Sequence, residues 1–180
     1  RNVLAEFGDQ VVAVVIKHGI PSGVALGPDQ ATAYHRAREA DALSAFGGVV
    51  VLNRPVDRAT AALLNETFLE VVLAPGVEPD ALDLLKEKKN RVLLTAPVSS
   101  LRGPEPALTG RFCGHGFLLQ TPAPRGDGEN NWETKSKRAP SDSERRDLIF
   151  GWRVLKHVRS NGILFARDGV TVGIGSGQTS

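Results

Sequence analysis

Lys17 and His18 stand where an apolar run, Val11-Val12-Ala13-Val14-Val15-Ile16, meets the stretch Gly19-Ile20-Pro21-Ser22-Gly23. Such a run reads as a strand buried on both faces, and ligands of α/β sheets commonly sit at the carboxyl ends of strands. The pair offers a cation for developing negative charge and an imidazole that exchanges protons near neutral pH, so neighbouring residues could divide those roles. The competing reading is a solvated lysine beside a structural histidine. Ser44-Ala45-Phe46-Gly47-Gly48 is a second strand-entry turn whose paired glycines let a ligand approach the backbone, or simply let the turn pack. Gly173 to Gly177 has the composition of a phosphate cradle without a helix after it, which is weak evidence. Asn161, after Lys156, His157 and Arg159, could present an amide to a substrate, although capping a helix end is the commoner use. Glu70 abuts a strand and could bind an amine; an exposed carboxylate is again commoner. His35 and His115 read as incidental, and His157 as helix surface.

These residues need elements to position them. After the Lys17 turn, Pro28 and Asp29 open a helix over Gln30 to Ala40, so the local order reads strand, loop, helix. Val49-Val50-Val51-Leu52 is a second buried strand, Asp57 caps a helix through Ala59 to Phe68, and Val71 to Leu73 is a third strand. Pro79-Asp80 starts a helix over Ala81 to Lys88, and Arg91-Val92-Leu93-Leu94 is the next strand. Alternation of this kind implies a mostly parallel sheet covered on both faces. Residues 95–140 form an irregular excursion in which only Gly116 to Gln120 is strand-like. Ser141-Asp142-Ser143-Glu144 then has the composition of a helix start. Leu148, Ile149, Trp152, Leu155 and Val158 give that helix one apolar face. Ile163 to Ala166, the turn Asp168-Gly169 and Val170 to Gly173 read as a hairpin.

The chain of 180 residues, 41% apolar and only 6% aromatic, is sized for one aliphatic core, and a single α/β domain over 1–180 is expected. Its 22 basic and 20 acidic residues nearly cancel, which argues against nucleic acid or an acidic membrane surface as partner. Cys113 is the only cysteine, so no intrachain disulfide and no multi-cysteine zinc site can form. No apolar stretch reaches the roughly 20 residues of a bilayer span, and no signal-peptide pattern opens the chain. A cytoplasmic protein is expected. The absence of any methionine suggests a fragment.

Several motifs follow in one order: Lys-His-x-x-Pro-x-Gly from Lys17, Ser-Ala-Phe-Gly-Gly from Ser44, Asn-Arg-x-Val-Asp from Asn53, and Glu-Val-Val-Leu-Ala-Pro from Glu70. Lys-Lys-Asn-Arg-Val-Leu, Lys137 to Pro140, Arg146-Asp147-Leu148, Lys156 to Asn161 and Gly173 to Gln178 come next. Together they resemble the formyltransferase domain of the bifunctional purine biosynthesis enzymes, across nearly the whole chain. The resemblance implies a cytidine-deaminase-like three-layer α/β/α fold without its zinc, matching the first deaminase-like half of that domain. It implies transfer of a formyl group from 10-formyltetrahydrofolate to the 5-amino group of aminoimidazole carboxamide ribonucleotide (AICAR). His18 would then accept the amine proton, and Lys17 would orient the donor and favour the developing oxyanion. Phe46, Gly47 and Glu70 would line the nucleotide site, Asn161 would contact the carboxamide, and Gly177-Gln178 would lead toward the folate. The family also implies a homodimer and a monovalent cation near Ser160.

Ile20 stands where the family usually has Asn or Ser, His115 interrupts what is normally a Gly-Gly pair, and residues 121–135 match poorly. The family's second deaminase-like half supplies further substrate contacts, so these residues alone should fold yet carry an incomplete site. The alternative is a non-catalytic nucleotide-binding or assembly module that keeps the scaffold. A zinc deaminase is disfavoured by the single cysteine and the lack of a His-x-Glu motif.

Overall fold

Successive side chains of the first buried run point to opposite faces of a sheet, and both faces are covered. In the computed structural model, which describes residues 2–101, 108–122 and 131–177, the elements run α1 (Asn2–Ala5), β1 (Val12–Lys17), β2 (Ile20–Leu26), α2 (Gln30–Glu39), α3 (Ala42–Ala45), β3 (Gly48–Leu52), α4 (Arg58–Asn65), β4 (Leu69–Ala74), α5 (Pro79–Lys86), β5 (Val92–Thr95), α6 (Val98–Leu101), β6 (Thr109–Cys113), β7 (Gly116–Gln120), α7 (Asp142–Leu155), β8 (Ile163–Arg167) and β9 (Val170–Gly175). Ala13 and Val15 of β1 join Ala33, Tyr34 and Ala37 of α2, Ala61 and Leu64 of α4 and Leu85 of α5 in one core. Val12 and Val14 face the other way and join Leu4 of α1, Phe7, and Phe150 and Val154 of α7 in a second core. Each fully buried Val, Leu or Phe contributes roughly 1.5–3 kcal/mol, so two facing cores hold the sheet from both sides.

The sheet has seven strands in the order β5-β4-β3-β1-β2-β9-β8. β2, β3, β4, β5 and β8 run one way and β1 and β9 the other, so only the β3-β4 and β4-β5 pairs are parallel. The expected parallel arrangement therefore holds for the β3-β4-β5 half. The other half is antiparallel because β2, absent from the sequence-based expectation, doubles back directly after β1. Gly19 to Gly23 is not a loop. Ile20 pairs with Lys17, and Pro21 lies opposite Ile16 beside a register shift, where a residue lacking an N–H is tolerated. Within the excursion, β6 pairs with β7 as a separate hairpin, with Gly114 and His115 in its two-residue turn.

Asp29 and Asp57 cap α2 and α4 by accepting from Thr32 N and Thr60 N, and α4 ends at Asn65 rather than reaching Phe68. α7 begins with the expected capping box: Ser141 Oγ accepts from Glu144 N, and the Glu144 carboxylate accepts from Ser141 N. Its buried residues are Phe150, Gly151 and Val154, whereas Leu148 and Trp152 of the expected apolar face are about half exposed. Gly151 lies against β8, where a Cβ would come within 3.1 Å of Leu164 Cδ2.

Arg138 donates to both oxygens of Glu144, at 2.7 and 2.8 Å. With the Ser141 N–H this draws the carboxyl from its ordinary 4.5 down to about 2. A carboxylate whose pKa falls on folding adds stability above its unfolded value and loses it as pH drops through the folded one. The contribution of this cap is thus expected to disappear between about pH 4.5 and 2. Ser141→Ala should cost about 1 kcal/mol at neutral pH, and Glu144→Gln should flatten the fall of melting temperature over the acid window. Equal acid slopes in parent and Glu144→Gln would show that the cap is not linked to folding.

Candidate functional site

Lys17 and His18 occupy the tip of the β1-β2 hairpin, where His18 has φ +52° and Gly19 φ +78°. Two consecutive left-handed residues make the two-residue turn whose twist matches antiparallel strands, a turn that favours Asn-Gly or Asp-Gly. Histidine in the first place carries an energetic cost of order 1–3 kcal/mol, and such costs concentrate at working sites. The turn presents the His18 ring to solvent. β1 runs opposite to β3, so the pair sits at the amino ends of the parallel strands, and not at their carboxyl ends, where ligands of parallel sheets were expected.

From the end of β1 the Lys17 side chain crosses to the entry of β3. Its ammonium donates to Phe46 O at 2.7 Å and to Gly47 O at 3.1 Å. An ammonium has three N–H groups, so this tether leaves one for a further acceptor. Gly47 is at φ +65°, and a Cβ there would meet Lys17 Nζ at 3.1 Å and the Phe68 ring at 3.8 Å. The Gly47 N–H donates to Phe68 O at 2.8 Å, and the Phe46 and Phe68 rings lie 5.5 Å apart, both substantially exposed. Local composition reads Phe68 as a helix end and gives no hint of this role; it lies in the link to β4. Glu70 is exposed on β4 at a register irregularity, Gly48 pairing with Leu69 but Val49 with Val71. Lys17, Phe46, Gly47 and Glu70 are therefore brought to one corner. Ile20 is the cross-strand partner of Lys17.

The remaining residues lie at the same end of the sheet on the far side of β2. Asn161 just precedes β8, and Gly177 follows β9 with φ +65°. At about 4.8 Å per strand, β8 is three spacings, or roughly 14 Å, from β1. Between them, β2 and β9 share one register pair, Ala25 with Val170. At the next position the Val24 backbone donates to and accepts from Thr171 Oγ1 instead of a strand partner, at 3.0 and 3.3 Å. Beyond Val24, toward His18, no β2-β9 register pair continues. The two groups of predicted residues thus share one end of the sheet, with β2 standing between them.

Asn161 does not cap α7, whose C-cap is Lys156. It is exposed, and its Oδ1 accepts from Ser160 Oγ at 3.0 Å. Gly173 and Gly175 belong to β9, so the glycine cluster is mostly strand and not a cradle; Gly177 donates to Arg159 O at 3.2 Å. Gln178 lies outside the described residues. Ser176 Oγ is buried beside this turn without a hydrogen-bond partner among the described residues. His157 is not helix surface: it faces Glu6, at 3.1 Å. Among the described residues no group of three or more His, Cys, Asp or Glu is placed to hold a metal, and no helix is long and apolar enough to cross a membrane.

The whole chain, residues 1–180, matches the family model described as AICARFT/IMPCHase bienzyme. It is 46% identical over 179 residues to the bifunctional purine biosynthesis protein PurH of Nostoc punctiforme, covering 99% of this chain and 34% of that protein. To the protein of the same name from Sorangium cellulosum it is 51% identical over 172 residues, covering 95% and 33%. The chain thus spans about a third of the length of the curated relatives it matches. Among solved structures, the apo dCMP deaminase of cyanophage S-TIM5 aligns with TM-score 0.41 and 12% identity over 48% of this chain and 79% of that one.

Proposed function

Because the chain belongs to the AICARFT/IMPCHase bienzyme family, whose named relatives act in purine biosynthesis, we propose that it carries the Lys17-His18 edge of a formyltransferase site acting on AICAR and 10-formyltetrahydrofolate, within a cytidine-deaminase-like scaffold. The observation that carries this reading is the tether of Lys17 Nζ on the Phe46 and Gly47 carbonyls. It fixes a cation one residue from an exposed imidazole. In the transfer, the 5-amino nitrogen forms a bond to the formyl carbon while the bond from that carbon to N10 of the folate breaks. His18 takes the proton the amine must lose and returns it to N10, which leaves as a neutral amine. The third N–H of Lys17 donates to the formyl oxygen as negative charge develops there. The Phe46 and Phe68 rings offer an apolar face to the heterocycle, and Asn161, at the same end of the sheet, offers its amide to the carboxamide.

The exposure of His18, Glu70 and Asn161 favours a half-site that binds but turns over poorly alone. The test measures AICAR binding by the 180-residue chain, and formyl transfer by the chain and by a chimera in which it replaces the matching third of the Nostoc punctiforme protein. AICAR binding by the chain with turnover only in the chimera is expected. A folded chimera that binds neither substrate would sink the proposal, and full turnover by the chain alone would sink the half-site.

A further inference from the structure

Glu6 follows α1 with its side chain 4% exposed, and its two oxygens take separate partners: Lys156 Nζ donates to Oε2 at 2.9 Å, and His157 Nε2 lies 3.1 Å from Oε1. Burial is the largest single influence on this carboxyl and acts to raise its pKa, yet hydrogen bonds and charge from His157 and Lys156 together hold it below the ordinary carboxylate range. A buried carboxylate so compensated has one favourable place to be. It is fixed from its own side as well, because Leu4 and Phe7 flank it in the core and the Phe7 ring lies 5.4 Å from that of Phe150 on α7.

The two partners are the first residues past the last turn of α7, and the chain continues from them directly into Arg159-Ser160-Asn161 by way of Val158. The Arg159 carbonyl accepts the Gly177 N–H at 3.2 Å, and Ser160 Oγ holds the Asn161 amide oxygen at 3.0 Å. The segment that bears Asn161 is therefore anchored to Glu6 where it leaves the helix and to the exit of β9 at its middle. The exit of β9 and Asn161 lie at the same end of the sheet as Lys17. We infer that Glu6 is a positioning residue for this side of the site: its carboxylate sets the Lys156-His157 corner, and that corner sets Asn161 and Gly177. The identity of the ligand rests on the formyltransferase reading; the positioning does not.

Amide hydrogen exchange of the ligand-free chain, followed by NMR, tests it. Glu6→Gln keeps the shape and removes the charge, and His157→Leu removes the partner of Oε1 alone, so the second variant stays informative should the first fail to fold. Loss of a charge-assisted buried hydrogen bond should speed exchange at Gly177 and through 159–161 by about ten- to a hundred-fold in Glu6→Gln, and by less in His157→Leu. Amides of β1 and β3 should keep their parent rates. Unchanged exchange at Gly177, or the same acceleration throughout the sheet, overturns the inference, the latter because Glu6 would then be ordinary core support. Substrate binding is read separately, in the chimera: if the folded chimera binds neither substrate the formyltransferase reading fails, while the exchange pattern of the chain still decides the role of Glu6.

Discussion

Lys17→Met in the active chimera is expected to slow formyl transfer by about 10²- to 10³-fold, the range found when one fixed donor to a developing oxyanion is removed. The substitution keeps an unbranched chain of similar length, so packing along β1 is preserved while the ammonium is lost. The Phe46 and Gly47 carbonyls it leaves behind lie at a solvent-accessible corner where water replaces it. Folding should accordingly be little affected, and the loss should fall on kcat more than on the KM for AICAR. Lys17→Arg should restore only part of the rate, because a planar guanidinium cannot place single donors on two adjacent carbonyls and a third on substrate as a compact ammonium does. Steady-state kinetics with both substrates, beside thermal melts of the same proteins, provide the check. A Lys17→Met rate within about threefold of the parent would remove the electrostatic role assigned to this side chain.

Gly23→Ala is expected to be the most destabilising single-methyl change in the sheet, by at least about 3 kcal/mol. α2 lies flush on β2 because Ala33 and Ala37 face it with nothing beyond a methyl group. A Cβ at Gly23 would fall 1.9 Å from Ala37 O, with Ala40 Cβ at 3.3 Å as well. The obstacle is a backbone carbonyl inside a helix, so no side-chain rotation relieves it, and α2 as a whole must lift. Lifting α2 would also strain the contacts of Gln30, which donates to Val12 O and accepts from Arg54 N. Chemical denaturation of the variant, or failure to obtain it folded, bears this out. A midpoint shift worth under about 1 kcal/mol would show that the helix rides on the strand more loosely than its geometry indicates.

The same glycine explains what could be read from the residues and what could not. Pro21, Ser22 and Gly23 have the composition of a loop, yet here Pro21 sits at a register shift and Gly23 answers to a helix that lies on it. A tertiary contact overrode local propensity, and with β2 went the direction of half the sheet. The continuous runs of β1 and β3 were legible because burial on both faces leaves no polar position to interrupt them, and Val71 to Leu73 of β4 stood out as an apolar run after the exposed Glu70. The caps at Asp57 and Ser141 were legible because capping is local. α7 carries two apolar stripes, and periodicity alone could not tell Phe150 and Val154 from Leu148 and Trp152. Of the site, the Lys17-His18 pair was visible as a chemical neighbourhood. Its tether to Phe46 joins residues 29 positions apart, and the Glu6 anchor joins residues 150 apart; neither has a local signature.

The single register pair between β2 and β9 has a consequence in time. Strands β1 to β5 are assembled from contacts within the first 95 residues, whereas joining Ala25 to Val170 closes a loop of about 145 residues. Loop closure of that span carries a larger entropic cost before any contact repays it, and non-local pairings form slowly. The β8-β9 hairpin should therefore dock last, onto a five-stranded sheet that already displays Lys17 and His18. A nascent chain would hold the Lys17-His18 hairpin well before it acquires the β8-β9 hairpin, and the neighbourhood of the two at one end of the sheet would be among the last properties folding confers.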